Sequence, residues 1–84
     1  MHVSVLFFAR AREVADTDKM EIESDSGSIT CSYVLAEVVR RFPAMQAVLK
    51  TCVLAINQEY AEQGDDQELA DGDEVAIIPP LSGG

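Results

Sequence analysis

The residues best suited to chemistry stand at the end of the chain, where Ile78 is followed by Pro79-Pro80-Leu81-Ser82-Gly83-Gly84. Proline fixes φ and lacks a backbone N–H, so Pro79 and Pro80 end the sheet pairing and begin a stiff, extended segment. Gly83 and Gly84 have no Cβ, so the channel of a partner can close around their backbone. This segment is therefore predicted to be a narrow, extended tail that carries the α-carboxylate of Gly84 into another protein.

The carboxylate of Gly84 needs activation before it can react, because its charge is delocalised and oxide is a poor leaving group. Joining it to AMP as a mixed anhydride makes the carbonyl carbon an electrophile. If a sulfur donor then displaces AMP, the chain ends in a thiocarboxylate. If an amine or a thiol displaces AMP, the chain becomes a tag on another molecule. The residues leave both outcomes open, together with a plain terminus that has no chemistry.

The rest of the chain lacks the grouped side chains of a catalytic or metal site. His2 is the single histidine, so neither a Ser-His-Asp set nor a zinc site is expected. Cys31 and Cys52 are far apart in sequence and are expected to be buried free thiols. The segment Asp71-Gly72-Asp73-Glu74 lacks the spacing and the distal glutamate of a calcium loop, so it predicts a turn before a strand. The chain is therefore expected to be non-catalytic alone and to bind no metal or cofactor.

Size and charge narrow the class of protein further. The 84 residues predict one domain, and 15 acidic against 6 basic residues give a net charge of −9. This charge argues against binding to nucleic acid and suits a basic groove on a protein partner. No apolar run approaches the roughly 20 residues that span a membrane, and no signal peptide is recognisable, so a cytoplasmic protein is expected.

Hydrophobic periodicity predicts a sheet with one main helix across it. The helix is expected to begin near Thr30 or Ser32 and to end at Phe42, before a proline. Its predicted buried stripe is Leu35, Val38, Val39 and Phe42. The predicted strands are 3–8, 19–23, 52–56, 59–62 and 74–78, with turns at 57–58 and 71–73. The simplest arrangement that buries these apolar side chains is an α+β fold with a mixed sheet, in which the first and last strands are central and the helix packs across the sheet.

The first and last strands are apolar on both faces, which indicates a docking surface. Val3, Val5 and Phe7 suit the core, which leaves Leu6 and Phe8 on the opposite face. In the last strand, Ala76 and Ile78 have the same parity as Leu6 and Phe8. If the two strands pair, these four side chains and Leu81 form an apolar patch that continues into the tail. The alternative is that a loop covers this patch.

The stretch from Asp71 to Gly84 resembles the terminal signature of the molybdopterin synthase small (sulfur carrier) subunit family. The stretches Val5–Arg10, Arg12-Glu13 and Ala55–Gln58 resemble other recurrent parts of that family. Together they cover nearly the whole chain in length and order. The resemblance implies a ubiquitin-like β-grasp domain over residues 1–78 and a flexible Gly-Gly tail over residues 79–84.

The same resemblance implies how the tail would work. A ubiquitin-activating-like adenylyltransferase would use ATP to convert Gly84 to an acyl-adenylate, and a sulfurtransferase would then yield the thiocarboxylate. The large subunit of molybdopterin synthase would receive the tail in a heterotetramer of two small and two large subunits. There the sulfur would pass to cyclic pyranopterin monophosphate and build the dithiolene. The residues expected to contact partners are Leu6, Phe8, Ala76, Ile78, Pro79, Pro80, Leu81 and Ser82, and those expected at the reaction are Gly83 and Gly84.

Three other functions fit the same chain. A ubiquitin-like modifier attached to protein amines through Gly84 needs the same fold and tail, so the fold alone does not separate the two. Thiamine-type sulfur carriers resemble the chain less at Phe7-Phe8 and Pro79-Pro80. The last alternative is an interaction module whose terminal glycines are incidental.

Overall fold

A computed structural model of the 84-residue chain describes residues 1–25, 27–61 and 66–80. Three helices and seven strands are present in these ranges. In chain order they are β1 (His2–Phe7), α1 (Ala9–Ala15), β2 (Lys19–Glu23), β3 (Ile29–Thr30), α2 (Cys31–Arg41), α3 (Met45–Leu49), β4 (Val53–Ile56), β5 (Glu59–Ala61), β6 (Glu68–Leu69) and β7 (Glu74–Ile78).

Five of the strands form a mixed sheet in the order β2-β1-β7-β4-β5. Strands β1 and β7 pair in parallel, and the other neighbours pair antiparallel. Strand β7 is central and β1 lies beside it, so the prediction that the first and last strands occupy the middle of the sheet is confirmed. Because β7 runs parallel to β1, the chain leaves the sheet at the same end at which β1 passes into α1.

One face of this sheet forms the core together with the helices. The alternation predicted for β1 is confirmed, since Val3, Val5 and Phe7 are at most 1% exposed. Phe7 packs edge-on against Phe42 at a ring-centroid distance of 5.9 Å. The other strands contribute the side chains at matching register positions to the same face, namely Met20, Ile22, Leu54, Ile56, Val75 and Ile77.

Helix α2 begins where its capping residue predicts, but its buried stripe differs from the prediction. The Thr30 hydroxyl accepts a hydrogen bond from the backbone N–H of Tyr33, as an N-cap should. The fully buried side chains are Cys31, Val34 and Val38. The predicted stripe is confirmed in part, since Val38 is buried and Leu35 and Phe42 are partly buried against the core. Val39 is partly buried, and the buried residues Cys31 and Val34 were missing from the prediction.

A second, two-stranded sheet, which the sequence pattern did not reveal, lies at the start of α2. Strands β3 and β6 pair antiparallel, with Ile29 opposite Leu69 and both side chains buried. The backbone N–H of Cys31 donates to the Gln67 carbonyl at 3.0 Å, so the first turn of α2 is tied to this sheet. This hydrogen bond holds the start of α2 beside β6, with the Cys31 side chain buried.

The predicted turn at residues 57–58 is confirmed and joins β4 to β5. Asn57 and Gln58 have φ values of 51° and 71°, the left-handed pair that a two-residue type I′ hairpin requires. The Asn57 side chain also holds the turn against the start of β7. Its Nδ2 donates to Asp73 Oδ1 at 2.9 Å, and its Oδ1 accepts from the Glu74 N–H at 3.0 Å. These bonds fix the register of β4 against β7.

Candidate functional site

The chain leaves the sheet at the end of β7, between the face that the helices cover and the opposite face. Pro79 is buried and Pro80 is exposed, which places the change from domain to tail at these two residues. The backbone N–H of Phe8 donates to the Ile77 carbonyl at 3.3 Å, so the end of β1 is held beside the end of β7. The predicted reactive and tail residues Leu81, Ser82, Gly83 and Gly84 lie outside the described residues.

The face of the sheet opposite the helices brings together the four predicted patch residues within the domain. Leu6 pairs with Ala76 across the β1–β7 ladder, and Phe8 and Ile78 follow at the end nearer the tail. Two small side chains occupy the centre, because Ala76 pairs in turn with Ala55 on β4. We call this surface the open face. It consists of Leu6, Phe8, Val53, Ala55, Tyr60, Ala76 and Ile78.

The open face has a shallow centre with aromatic rims. Ala76 is 9% exposed, whereas Phe8 on one side and Tyr60 on the other are 47% and 80% exposed. Between them lies a depression of about 330 Å³. Exposed aromatic rings beside a shallow apolar depression are typical of a surface that receives side chains from another protein.

Three residues of the open face were missing from the sequence prediction. Ala55, Tyr60 and Val53 lie on β4 and β5, and the register places Tyr60 opposite Ala55 and Val53 opposite Ile78. Their parity follows from the two-residue hairpin, because a turn at 57–58 makes Ala55 and Tyr60 cross-strand neighbours. The sequence contained part of this signal, since the hairpin was predicted, but it did not indicate the pairing of β4 with β7 that brings these residues beside Ala76 and Ile78.

Beyond the apolar part, the same face carries a polar cluster on β1 and β2. Glu21 lies at its centre and accepts hydrogen bonds from Lys19 Nζ at 3.2 Å and from Ser4 Oγ at 3.0 Å. His2 Nε2 approaches the same carboxylate at 2.6 Å. The hydrogen bond from Lys19, together with that from Ser4, lowers the pKa of Glu21 below its usual range. This side of the sheet is thus apolar over the open face and charged along β2 and the start of β1.

The two cysteines belong to the core and not to a reactive site. Cys31 and Cys52 are buried free thiols, as predicted. Burial raises the pKa of both thiols, which disfavours the reactive thiolate form. Among residues 1–25, 27–61 and 66–80, no three His, Cys, Asp or Glu side chains are grouped so as to hold a metal ion. Across the same residues, no helix has the length and apolar character needed to cross a membrane.

Comparison with known proteins agrees with this architecture. The model of the ThiS family matches residues 5–84. The molybdopterin synthase sulfur carrier subunit of Chlamydomonas reinhardtii is 50% identical over 84 residues, which are 100% of each chain. The same kind of subunit from Aedes aegypti is 38% identical over 88 aligned positions, covering 100% of this chain and 90% of that protein.

Solved structures show the same fold. SAMP1 from Haloferax volcanii, a small archaeal modifier protein, superposes with a TM-score of 0.82 at 28% identity over 100% of both chains. A chain from the complex of subunits 1 and 2 of the molybdopterin-converting factor from Helicobacter pylori superposes with a TM-score of 0.71 at 23% identity, again over 100% of both chains. The ubiquitin-like β-grasp fold and the full-length likeness to curated proteins place this chain in the ThiS family, among the molybdopterin synthase sulfur carrier subunits.

Proposed function

We propose that this chain carries sulfur on its C-terminus for molybdopterin synthase. An adenylating enzyme joins the Gly84 carboxylate to AMP, using ATP and releasing pyrophosphate. A sulfur donor then displaces AMP and leaves a thiocarboxylate. The large subunit receives this tail, and the sulfur passes to cyclic pyranopterin monophosphate. The chain itself holds no cofactor, and the pathway runs in the cytoplasm.

The observation that carries this proposal is the position of the open face beside the tail exit. Ile78 belongs to the open face, and it is followed at once by Pro79 and Pro80. A partner that docks on Phe8, Ala76 and Ile78 therefore has the tail emerging at the edge of its contact surface. Docking and delivery of the terminus then occur in one binding event.

The electrostatics of the chain support the same assignment. The net charge of −9 favours association with a partner whose surface is basic. The full-length likeness to the Chlamydomonas reinhardtii sulfur carrier subunit supports molybdopterin synthase as that partner, and so does the Helicobacter pylori neighbour, which was solved as a complex of two subunits. We propose two small subunits flanking a dimer of large subunits.

A second function is favoured by one observation, the likeness to the archaeal modifier SAMP1. A modifier forms the same acyl-adenylate at Gly84 but transfers the carbonyl carbon to an amine, which releases AMP and leaves an isopeptide bond. The two functions differ in the product that accumulates. A sulfur carrier co-purifies with a large subunit, whereas a modifier gives a ladder of larger conjugates in cell extracts.

The direct test of tail chemistry is to add one residue after Gly84. The activating enzyme must reach the terminal carboxylate through a narrow channel, so the extended chain should support no molybdopterin formation in a reconstituted assay with the large subunit. Its thermal unfolding curve should match that of the wild type. Full activity of the extended chain would contradict activation at the Gly84 carboxylate, on which both the sulfur carrier and the modifier depend.

A further inference from the structure

A second depression lies beside the tail exit, on the side of the helices. We call it the exit groove. It measures about 300 Å³ and is lined by residues that include Ala9, Arg10, Ala47, Thr51, Pro79 and Pro80. Pro79 and Pro80 also border a depression on the sheet side, with Val53, Tyr60 and Ile78. The start of the tail therefore runs between two hollows, one on each side.

Arg10 places a positive charge at the exit groove, and the described residues provide no ion-pair partner for it. Its side chain is exposed, and within residues 1–25, 27–61 and 66–80 it makes no hydrogen bond or ion pair. This occurs in a chain with 15 acidic residues and 6 basic ones. By contrast, Arg40 on α2 bonds both oxygens of Glu37, at 2.8 Å and 3.2 Å.

A partner that encloses the tail must contact the exit groove. Pro80 is exposed and leads directly into the residues that enter the partner's channel, so the walls of that channel meet the domain on both sides of Pro80. The wall on the sheet side meets apolar side chains. The wall on the helix side meets Arg10, and covering a guanidinium without a counter-charge is unfavourable.

We propose that the exit groove is a second docking surface, in which Arg10 pairs with a carboxylate of the large subunit as that subunit closes around the tail. This inference rests on the proposed function, because it takes the large subunit as the partner. The complementary element is an aspartate or glutamate whose aliphatic part lies on Ala47 and Pro80 while its carboxylate meets the guanidinium. Arginine suits this role because its planar group binds a carboxylate through two hydrogen bonds.

The test measures binding of the purified large subunit by calorimetry to four chains: wild type, Arg10→Glu, Arg40→Glu and Phe8→Ala. Arg40→Glu is the matched control, since it changes the net charge equally but lies outside the groove. We expect Arg10→Glu to raise Kd about 10-fold at low salt, with the difference shrinking as salt is added. Arg40→Glu should change Kd by less than about 2-fold. Circular dichroism melts check that all four chains are folded.

The other outcomes separate the two proposals. If Phe8→Ala weakens binding but Arg10→Glu behaves like Arg40→Glu, the exit groove is not a docking surface and the proposed function stands. If the wild type does not bind the large subunit, both proposals fail. If Arg10→Glu slows adenylation by the activating enzyme and leaves binding to the large subunit unchanged, the groove contacts that enzyme. This result would overturn the proposed pairing of Arg10 with the large subunit.

Discussion

Phe7 and Phe8 are neighbours in the chain but lie on opposite faces of the sheet, and they show how the two faces differ. Phe7 is 1% exposed and packs against Phe42, whereas Phe8 is 47% exposed at the rim of the open face. Both faces are apolar around β1 and β7. The helices cover one of them, and among the described residues the open face carries exposed aromatic side chains at its rims. The first face accounts for the stability of the fold, and the second is available to a partner.

The largest expected effect that tests this comparison is on the covered face. Phe7→Ala removes a fully buried ring and leaves a cavity against Phe42, so it should lower the free energy of unfolding by about 3–5 kcal/mol. Urea unfolding followed by circular dichroism measures this change. A loss no larger than that of Phe8→Ala would mean that the two faces do not differ in their contribution to stability.

The matched change on the open face should act on binding instead. Phe8→Ala should weaken binding of the large subunit by about 1–3 kcal/mol, because the ring stands at the rim of the docking surface. Its free energy of unfolding should change by less than about 1 kcal/mol. Titration calorimetry and urea unfolding on the same preparation give both values. Equal losses of binding and stability would place Phe8 in the core and remove the open face as a docking surface.

Tyr60 tests how far the open face extends across the sheet. It is 80% exposed on the edge strand β5, so Tyr60→Ala should leave the unfolding curve unchanged. We expect it to weaken large-subunit binding by about 1 kcal/mol, less than Phe8→Ala, since it lies at the edge of the sheet. Unchanged binding would confine the docking surface to β1 and β7, as the sequence alone predicts. The control is Tyr33→Ala, an exposed tyrosine on α2 outside the open face.

The smallest expected effect concerns Asp73, which holds the turn at Asn57 beside the start of β7. Hydrogen bonds from the Ala70 N–H and the Asn57 side chain lower the pKa of Asp73 below its usual range. Because this pKa is lower in the folded than in the unfolded chain, the stabilisation is present above a pH of about 3.9 and is lost as the pH falls through the folded-state value. Asp73→Asn should flatten this part of the profile of unfolding free energy against pH. An identical profile would show that Asp73 does not contribute.

The features that the sequence predicted well depend on local patterns. Alternation alone assigned Phe7 to the core and Phe8 to the opposite face, and the resemblance of the tail to a known family gave the fold. The turn at Asn57 and Gln58 was predicted because these two residues separate two strand-like segments and asparagine is common in tight turns. Each of these inferences uses neighbours in the chain, where geometry is set by a few covalent links.

The features that were missed depend on contacts between distant residues. Strands β3 and β6 have two residues each, too short for any periodicity, yet they pair with each other and lie beside the start of α2, where the Cys31 N–H donates to the Gln67 carbonyl. Tyr60 and Val53 join the open face only through the pairing of β4 with β5 and β7. The exit groove combines α1, α3 and the tail, so no single stretch of sequence indicates it.

The central claim, that the chain carries sulfur on Gly84, is tested most directly by an intact mass. The protein is recovered after incubation with its activating enzyme, ATP and a sulfur donor, and compared with a variant that lacks Gly84. We expect the mass of the full chain to rise by the exchange of one terminal oxygen for sulfur, and that of the variant to stay unchanged. An unmodified full chain accompanied by larger conjugates would contradict sulfur carriage and indicate a modifier.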